Sequence, residues 1–186
     1  GLFVAEGEKL VSDLLPFFTC RSLLVTRDWA NKHTTPKTID YEIIDASNGE
    51  KLERWGNVYL LRPDPEIIWD NGNLSEKYQN KINAIYHRSN KGGGSWENIK
   101  SVPDFWQIKY HNLTFNLKQM GFKHTGIFPE QAVNWDYMVN KIQAAKRDIK
   151  VLNLFAYTGA VTVACLSAGA SVTHIDSSKG MVLWAK

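Results

Sequence analysis

The stretch KVLNLFAYTGAVTVACLSAGASVTHID, residues 150–176, decides the fold. Its first residues form a short apolar run, which predicts a strand buried on both faces. After a glycine-containing turn, residues 161–168 predict a short buried helix that Gly169 ends. Residues 171–175 are rich in β-branched side chains and predict a second strand, with Asp176 at its carboxyl end. The pattern is therefore strand, helix, strand, acid.

This pattern predicts a nucleotide site around Gly159 and Asp176. Ligands of open α/β sheets bind outside the carboxyl ends of the strands. Gly159 allows the backbone to approach a ligand closely, and an acid after the second strand accepts hydrogen bonds from ribose hydroxyls. The G-x-G-x-x-G fingerprint that a pyrophosphate requires is absent, so the pattern favours S-adenosylmethionine (SAM) over NAD or FAD. The alternative is an ordinary strand–helix–strand unit with a chance acid.

The composition sets wider bounds. A chain of 186 residues, 44% hydrophobic, suits one ordinary domain or two small ones. The net charge of +3 permits a nucleic-acid partner without requiring one. Cys20 and Cys165 lie in apolar surroundings, which predicts buried free thiols and a reduced, cytoplasmic setting. No apolar run approaches the roughly 20 residues of a membrane span, so we expect no membrane association.

Residues 1–36 predict a separate strand–helix–strand piece. The opening GLFVAEGEKL resembles the start of the substrate-binding domain of the SpoU (TrmH) RNA methyltransferases. Six residues carry that resemblance: Phe3, Val4, Glu6, Gly7, Lys9 and Leu10. The polar residues 33–37 predict a linker after this piece.

Residues 37–147 predict an α+β domain with β-hairpins. Asn48-Gly49 is a strong hairpin signal, and the alternation on both sides of it predicts a sheet with one solvent-facing side. Residues 87–95 contain basic side chains and three consecutive glycines, which predicts an exposed, flexible loop. The predicted elements are strands at 41–46, 51–55, 58–62, 106–110 and 113–117 and helices at 75–86 and 132–145.

Three motifs arrive in the order of a known family: HTGIFPEQAVNW at 124–135, NLFAYTGAVTVA at 153–164 and HID at 174–176. Together they resemble the class I SAM-dependent methyltransferases, and more narrowly the group related to 23S rRNA cytosine-C5 methyltransferases. The resemblance implies an α/β fold in which residues 148–186 begin a Rossmann-like domain. It also implies SAM as the cofactor and RNA, either rRNA or tRNA, as the partner.

The resemblance further implies a set of cofactor-binding residues. Phe128, Glu130 and Gln131 would help close the pocket, and Asp176 would bind the ribose with Ser178 beside it. The loop under the methionine moiety would contain Asn153, Phe155, Tyr157, Thr158 and Gly159. The alternatives are plain core packing for the two phenylalanines and a helix-capping role for Glu130.

Two features of the family pattern are missing. There is no acceptor loop of the Asn-Pro-Pro type and no cysteine placed to attack C6 of a cytosine. We therefore expect a fragment, or a composite of two methyltransferase pieces, that lacks the acceptor half of the site and is inactive alone. The first competing hypothesis is a non-catalytic RNA-binding module that uses the basic loop 87–100, Lys146, Arg147 and surface aromatic residues. The second is an NAD-dependent oxidoreductase. The single glycine of the turn argues against the oxidoreductase.

Overall fold

The computed structural model describes residues 39–186, so the strand–helix–strand prediction for residues 1–36 lies outside the described residues. By its internal contacts the chain divides into two units, Gly1–Lys37 and Thr38–Lys186. Within the described part, no helix is long and apolar enough to cross a bilayer. The strands are β1 Tyr41–Ser47, β2 Glu50–Trp55, β3 Val58–Pro63, β4 Ala84–Arg88, β5 Gly94–Asn98, β6 Trp106–Tyr110, β7 Leu113–Leu117, β8 Lys150–Leu154 and β9 Ser171–Ile175. The helices are α1 Leu74–Lys77, a 3-10 turn Pro129–Gln131, α2 Ala132–Ala144, α3 Ala160–Ser167 and α4 Lys179–Ala185.

The first five strands form one sheet in the order β1-β2-β3-β4-β5. Asn48 and Gly49 join β1 to β2 with φ angles of 49° and 76°, which are the left-handed conformations that a type I′ turn requires. The predicted hairpin is therefore confirmed. Strand β3 pairs in parallel with β4, and the other neighbours are antiparallel.

The prediction of a solvent-facing side is wrong for β2. Leu52 and Glu53 are adjacent in this strand and both are completely buried. Because successive side chains point to opposite faces, both faces of β2 are covered. One face packs on Leu74 and Ile82 around α1, and the other carries Trp55 against the β6–β7 hairpin.

The predicted helix at 75–86 is also wrong. Helix α1 ends at Lys77 after a single turn, whose first N–H groups are capped by the Asn73 side chain. Ala84 and Tyr86 are buried on one face of β4, which pairs with both β3 and β5. Sheet pairing with distant residues overrides the local helical pattern there.

The second half of this unit follows the predictions more closely. Strands β6 and β7 form the predicted hairpin with the predicted bounds, and α2 matches the predicted helix. Trp135 of α2 is buried, and its ring lies 5.2 Å from that of Tyr110 and 5.4 Å from that of Phe115. These edge and tilted contacts hold the helix on the hairpin.

Strands β8 and β9 pair in parallel and are joined by α3, as predicted. The expectation that the first strand is buried on both faces is wrong. Leu152 and Leu154 are 60% and 52% exposed, whereas their neighbours Val151 and Asn153 are half-buried. Within the described residues α3 covers the face of Asn153, so the opposite face of this two-stranded sheet remains open.

Candidate functional site

The loop between β8 and α3 has an unusual backbone. Phe155 and Tyr157 both have positive φ angles, 54° and 52°, and Gly159 has a φ of 92°. A non-glycine residue in the left-handed region costs on the order of 1–3 kcal/mol, and such residues concentrate at functional sites. Two aromatic residues in this conformation within three positions make the loop a candidate ligand-binding segment.

The carboxylate of Asp176 holds this loop. Its Oδ2 accepts a hydrogen bond from the Tyr157 N–H at 2.8 Å, and its Oδ1 accepts one from the Ser178 N–H at 2.8 Å. The Ser178 bond and then the Tyr157 bond lower the pKa of Asp176 below its ordinary value. The carboxylate is therefore ionised at neutral pH, and each oxygen keeps a lone pair for a further donor. The structure thus brings Asp176 and the glycine loop together, as the sequence predicts.

Tyr157 and Thr158 tie the loop to the segment before α2. The Tyr157 ring lies 5.2 Å from the Phe128 ring, and burial raises the pKa of its hydroxyl to about 12. The Thr158 hydroxyl donates to the Gly126 carbonyl. These contacts bring the predicted residues of the second motif next to those of the first.

The two phenylalanines have different environments. Phe155 is 93% exposed, so core packing is the wrong interpretation for this side chain. Phe128 is half-buried and belongs to a row of rings that runs from Phe122 through His124 to Tyr157. An exposed aromatic side chain on the loop that Asp176 holds suits the contact of a flat ligand.

Glu130 and Gln131 lie in the 3-10 turn that leads into α2. No side-chain hydrogen bond caps either helix start, so the capping interpretation of Glu130 gains no support from the hydrogen bonds. Glu130 instead lines a cavity with Phe128. The Gln131 amide oxygen accepts a hydrogen bond from the Asn134 side chain at 2.8 Å.

Asn153 and Gly159 do not face an open site. The Asn153 amide donates to the Thr162 hydroxyl at 3.0 Å, which in turn lies 2.9 Å from Nδ1 of His174. A Cβ on Gly159 would come within 3.1 Å of the Ala185 Cβ and 3.5 Å of the His174 ring. The close approach that Gly159 permits is therefore to helix α4 and to β9.

The neighbouring cavity contains a buried ion pair that was not predicted from the sequence. The Arg62 guanidinium donates to both carboxylate oxygens of Glu53, at 2.5 and 2.8 Å, and to the Lys123 carbonyl at 2.8 Å. Burial opposes ionisation of Glu53, but the charge and hydrogen bonds of Arg62 outweigh it and lower the Glu53 pKa. No local signal separates these two side chains from the exposed charges of an ordinary hairpin.

The comparisons with known proteins agree with the fold. No family model matches the chain. Over 97 residues the chain is 33% identical to a ribosomal RNA large subunit methyltransferase K/L of Pseudoalteromonas atlantica, and over 108 residues it is 36% identical to the protein of that name from a Shewanella species. A solved SAM-dependent methyltransferase from Agrobacterium tumefaciens superposes with a TM-score of 0.73 at 36% identity.

These matches cover different shares of each protein. The Pseudoalteromonas match covers 52% of this chain and 13% of the relative, and the Shewanella match covers 58% and 15%. The Agrobacterium match covers 78% of this chain and 46% of the solved chain. The predicted α/β fold with a Rossmann-like strand–helix–strand unit is confirmed.

Proposed function

We propose that this chain carries a SAM site and serves in methyl transfer to RNA. The single observation that carries the proposal is the carboxylate of Asp176 bonded to the backbone of a strained loop at the carboxyl end of two parallel strands. The Agrobacterium structure, named as a SAM-dependent methyltransferase, shares this fold at 36% identity. The relatives named as rRNA large subunit methyltransferases support RNA, and rRNA in particular, as the acceptor.

The proposed roles follow the geometry of the loop. Asp176 would accept hydrogen bonds from the ribose hydroxyls through its remaining lone pairs. The exposed ring of Phe155 would lie against the adenosyl group. Tyr157 and Phe128 would offer aromatic faces toward the sulfonium, which a ring quadrupole attracts. Thr158 and Ser178 would act through the loop backbone that they shape.

The transferred methyl group would leave the sulfonium, giving S-adenosylhomocysteine (SAH), and the acceptor atom would lose a proton. The resemblance implies C5 of a cytosine as that acceptor, a reaction that needs a thiolate at C6 of the base. Cys165 does not provide it, since its side chain is completely buried in α3 and burial raises its pKa. We therefore propose base methylation and assign the transfer to positioning of donor and acceptor.

Calorimetric titration with SAM, SAH and NAD tests this proposal. We expect SAM and SAH to bind and NAD to give no heat. Asp176→Asn removes a charged acceptor and should weaken SAM binding roughly 10- to 100-fold. Asp148→Asn, at an exposed acid before β8, is the matched control and should leave binding unchanged. Binding of NAD but not SAM would overturn the proposal.

The second candidate is a non-catalytic RNA-binding module. Its support is the β4–β5 hairpin, where His87, Arg88 and Lys91 are exposed on and beside a glycine-rich turn. This function predicts RNA binding that weakens with salt and no SAM binding at all. Titration with SAM distinguishes the two, since only the first function binds it.

A further inference from the structure

A cavity of about 190 Å³ lies beside the proposed SAM site. Phe128 belongs to its wall and also packs on Tyr157, so one pair of rings separates the cavity from the loop that Asp176 holds. Its charged lining residues are Lys51, Glu53, Arg62, Lys123, His124 and Glu130. None of the roles proposed for SAM uses these basic side chains.

The buried pair at the base of this lining is electrostatically complete. Glu53 receives two hydrogen bonds from Arg62 and one from the Tyr41 hydroxyl at 2.6 Å. The third arm of Arg62 is bonded to the Lys123 carbonyl. Neither buried charge therefore needs a ligand, and the pair holds in place the part of the lining that contains the lysines.

The two lysines of the lining have different partners. Among residues 39–186, Lys123 Nζ donates only to the Pro63 carbonyl, at 3.3 Å, whereas Lys51 Nζ forms ion pairs with Asp64 at 3.1 Å and with Glu53 at 3.5 Å. Burial lowers the pKa of Lys123, and the charges of Lys51 and Arg62 add to this effect, although the charge of Asp64 opposes it. Burial and the cations Arg62, Lys123 and Lys51 likewise lower the pKa of His124. Both side chains would gain from an anion in the cavity.

We propose that this cavity binds a backbone phosphate of the RNA next to the methylated nucleotide, held by Lys51, Lys123 and His124. The choice of RNA as the source of this phosphate rests on the proposed function. The residues of the site come from β2, β3 and the segment before α2. The ion pair joins β2 to β3, and the bond from Arg62 to the Lys123 carbonyl joins β3 to a segment 61 positions away. Phosphate contacts fix the register of a nucleic acid and leave sequence recognition to other groups.

The charge of the lining favours a phosphate over the methionine part of SAM. Three cationic side chains, Lys51, Arg62 and Lys123, line the cavity with two carboxylates, Glu53 and Glu130. A third carboxylate, Asp64, lies outside the lining and pairs with Lys51 at 3.1 Å. SAM carries an ammonium and a sulfonium in addition to its carboxylate, so a cation-rich lining repels it. A phosphodiester is purely anionic and pairs with lysine as a point charge.

The test compares single-stranded RNA binding by the full chain and three variants over a series of salt concentrations. A fluorescein-labelled RNA of mixed sequence is the probe. Lys51→Gln with Lys123→Gln should reduce the slope of log affinity against log salt by about 0.7, the value for one phosphate of a single strand. Lys123→Gln alone should reduce it by part of that amount, because Lys51 still contacts the same phosphate. Lys109→Gln, an exposed lysine of β6, is the matched control and should leave the slope unchanged.

A SAH titration of each variant separates this proposal from the preceding one. We expect Lys123→Gln to bind SAH as the unaltered chain does, with circular dichroism confirming that it is folded. Weaker SAH binding with an unchanged salt slope would assign the cavity to the cofactor and overturn the proposal. An equal loss of salt slope in Lys109→Gln would show diffuse surface binding and would also overturn the phosphate proposal. Absence of RNA binding by the unaltered chain would overturn it as well. Absence of SAH binding together with the expected slope change would refute only the proposed SAM site.

Discussion

Replacing Glu53 with glutamine should be among the most destabilising single changes in residues 39–186. Glu53 is completely buried and Arg62 is 7% exposed, so removal of the carboxylate charge leaves a guanidinium in the protein interior without a counter-charge. Glutamine keeps the size of the side chain and an oxygen for the Tyr41 hydroxyl. The change therefore isolates the charge from the packing.

The expected cost is about 3–5 kcal/mol, the range for breaking a buried ion pair by removing one partner. In a chain of this length each kcal/mol shifts the melting temperature by about 2–4 °C, so the melting temperature should fall by about 6–20 °C. Replacing both residues with methionine should cost far less than either single change, because no unpaired charge remains.

Chemical and thermal unfolding followed by circular dichroism measures these differences. Glu66→Gln is the matched control, since Glu66 is exposed on the loop after β3, and it should change stability by less than about 0.5 kcal/mol. The lowered pKa of Glu53 determines the direction in which stability changes with pH. Stabilisation by the pair is complete above the ordinary glutamate pKa of 4.5 and is lost as pH falls through the lowered value. A loss of less than about 1 kcal/mol in Glu53→Gln at neutral pH would show that water reaches the pair and would refute the reasoning.

Three further outcomes follow from the site. Gly159→Ala should lower the free energy of unfolding by about 1–3 kcal/mol, because the φ of Gly159 is 92° and a Cβ there would crowd helix α4. Gly121 lies in open space, so Gly121→Ala should leave the free energy of unfolding almost unchanged in the same assay. Hydrogen exchange should show the Tyr157 amide protected above pH 3.8, the ordinary pKa of aspartate, and unprotected only as pH falls through the lowered pKa of Asp176. A thiol reagent should modify Cys165 in the unfolded chain and not in the native one. Fast labelling of Cys165 in the native chain would contradict the burial of its side chain.

Much of the fold follows from local patterns. The Asn48-Gly49 turn, the β6–β7 hairpin and the β8–α3–β9 unit all match their predictions, because each depends on residues close together in sequence. The meeting of Gly159 and Asp176 at one edge was equally predictable, since the carboxyl ends of adjacent parallel strands lie side by side.

Other features depend on distant partners, and the local sequence does not encode them. Residues 84–88 form a strand because β3 and β5 flank them, against a helical pattern. Glu53 is buried with Arg62, whose guanidinium also donates to the Lys123 carbonyl 61 positions away. Phe155 is exposed although apolar, at a φ of 54° in the loop that Asp176 holds through the Tyr157 N–H. Burial and charge pairing are properties of the assembled unit, so the tertiary structure alone decided where the charged cavity lies.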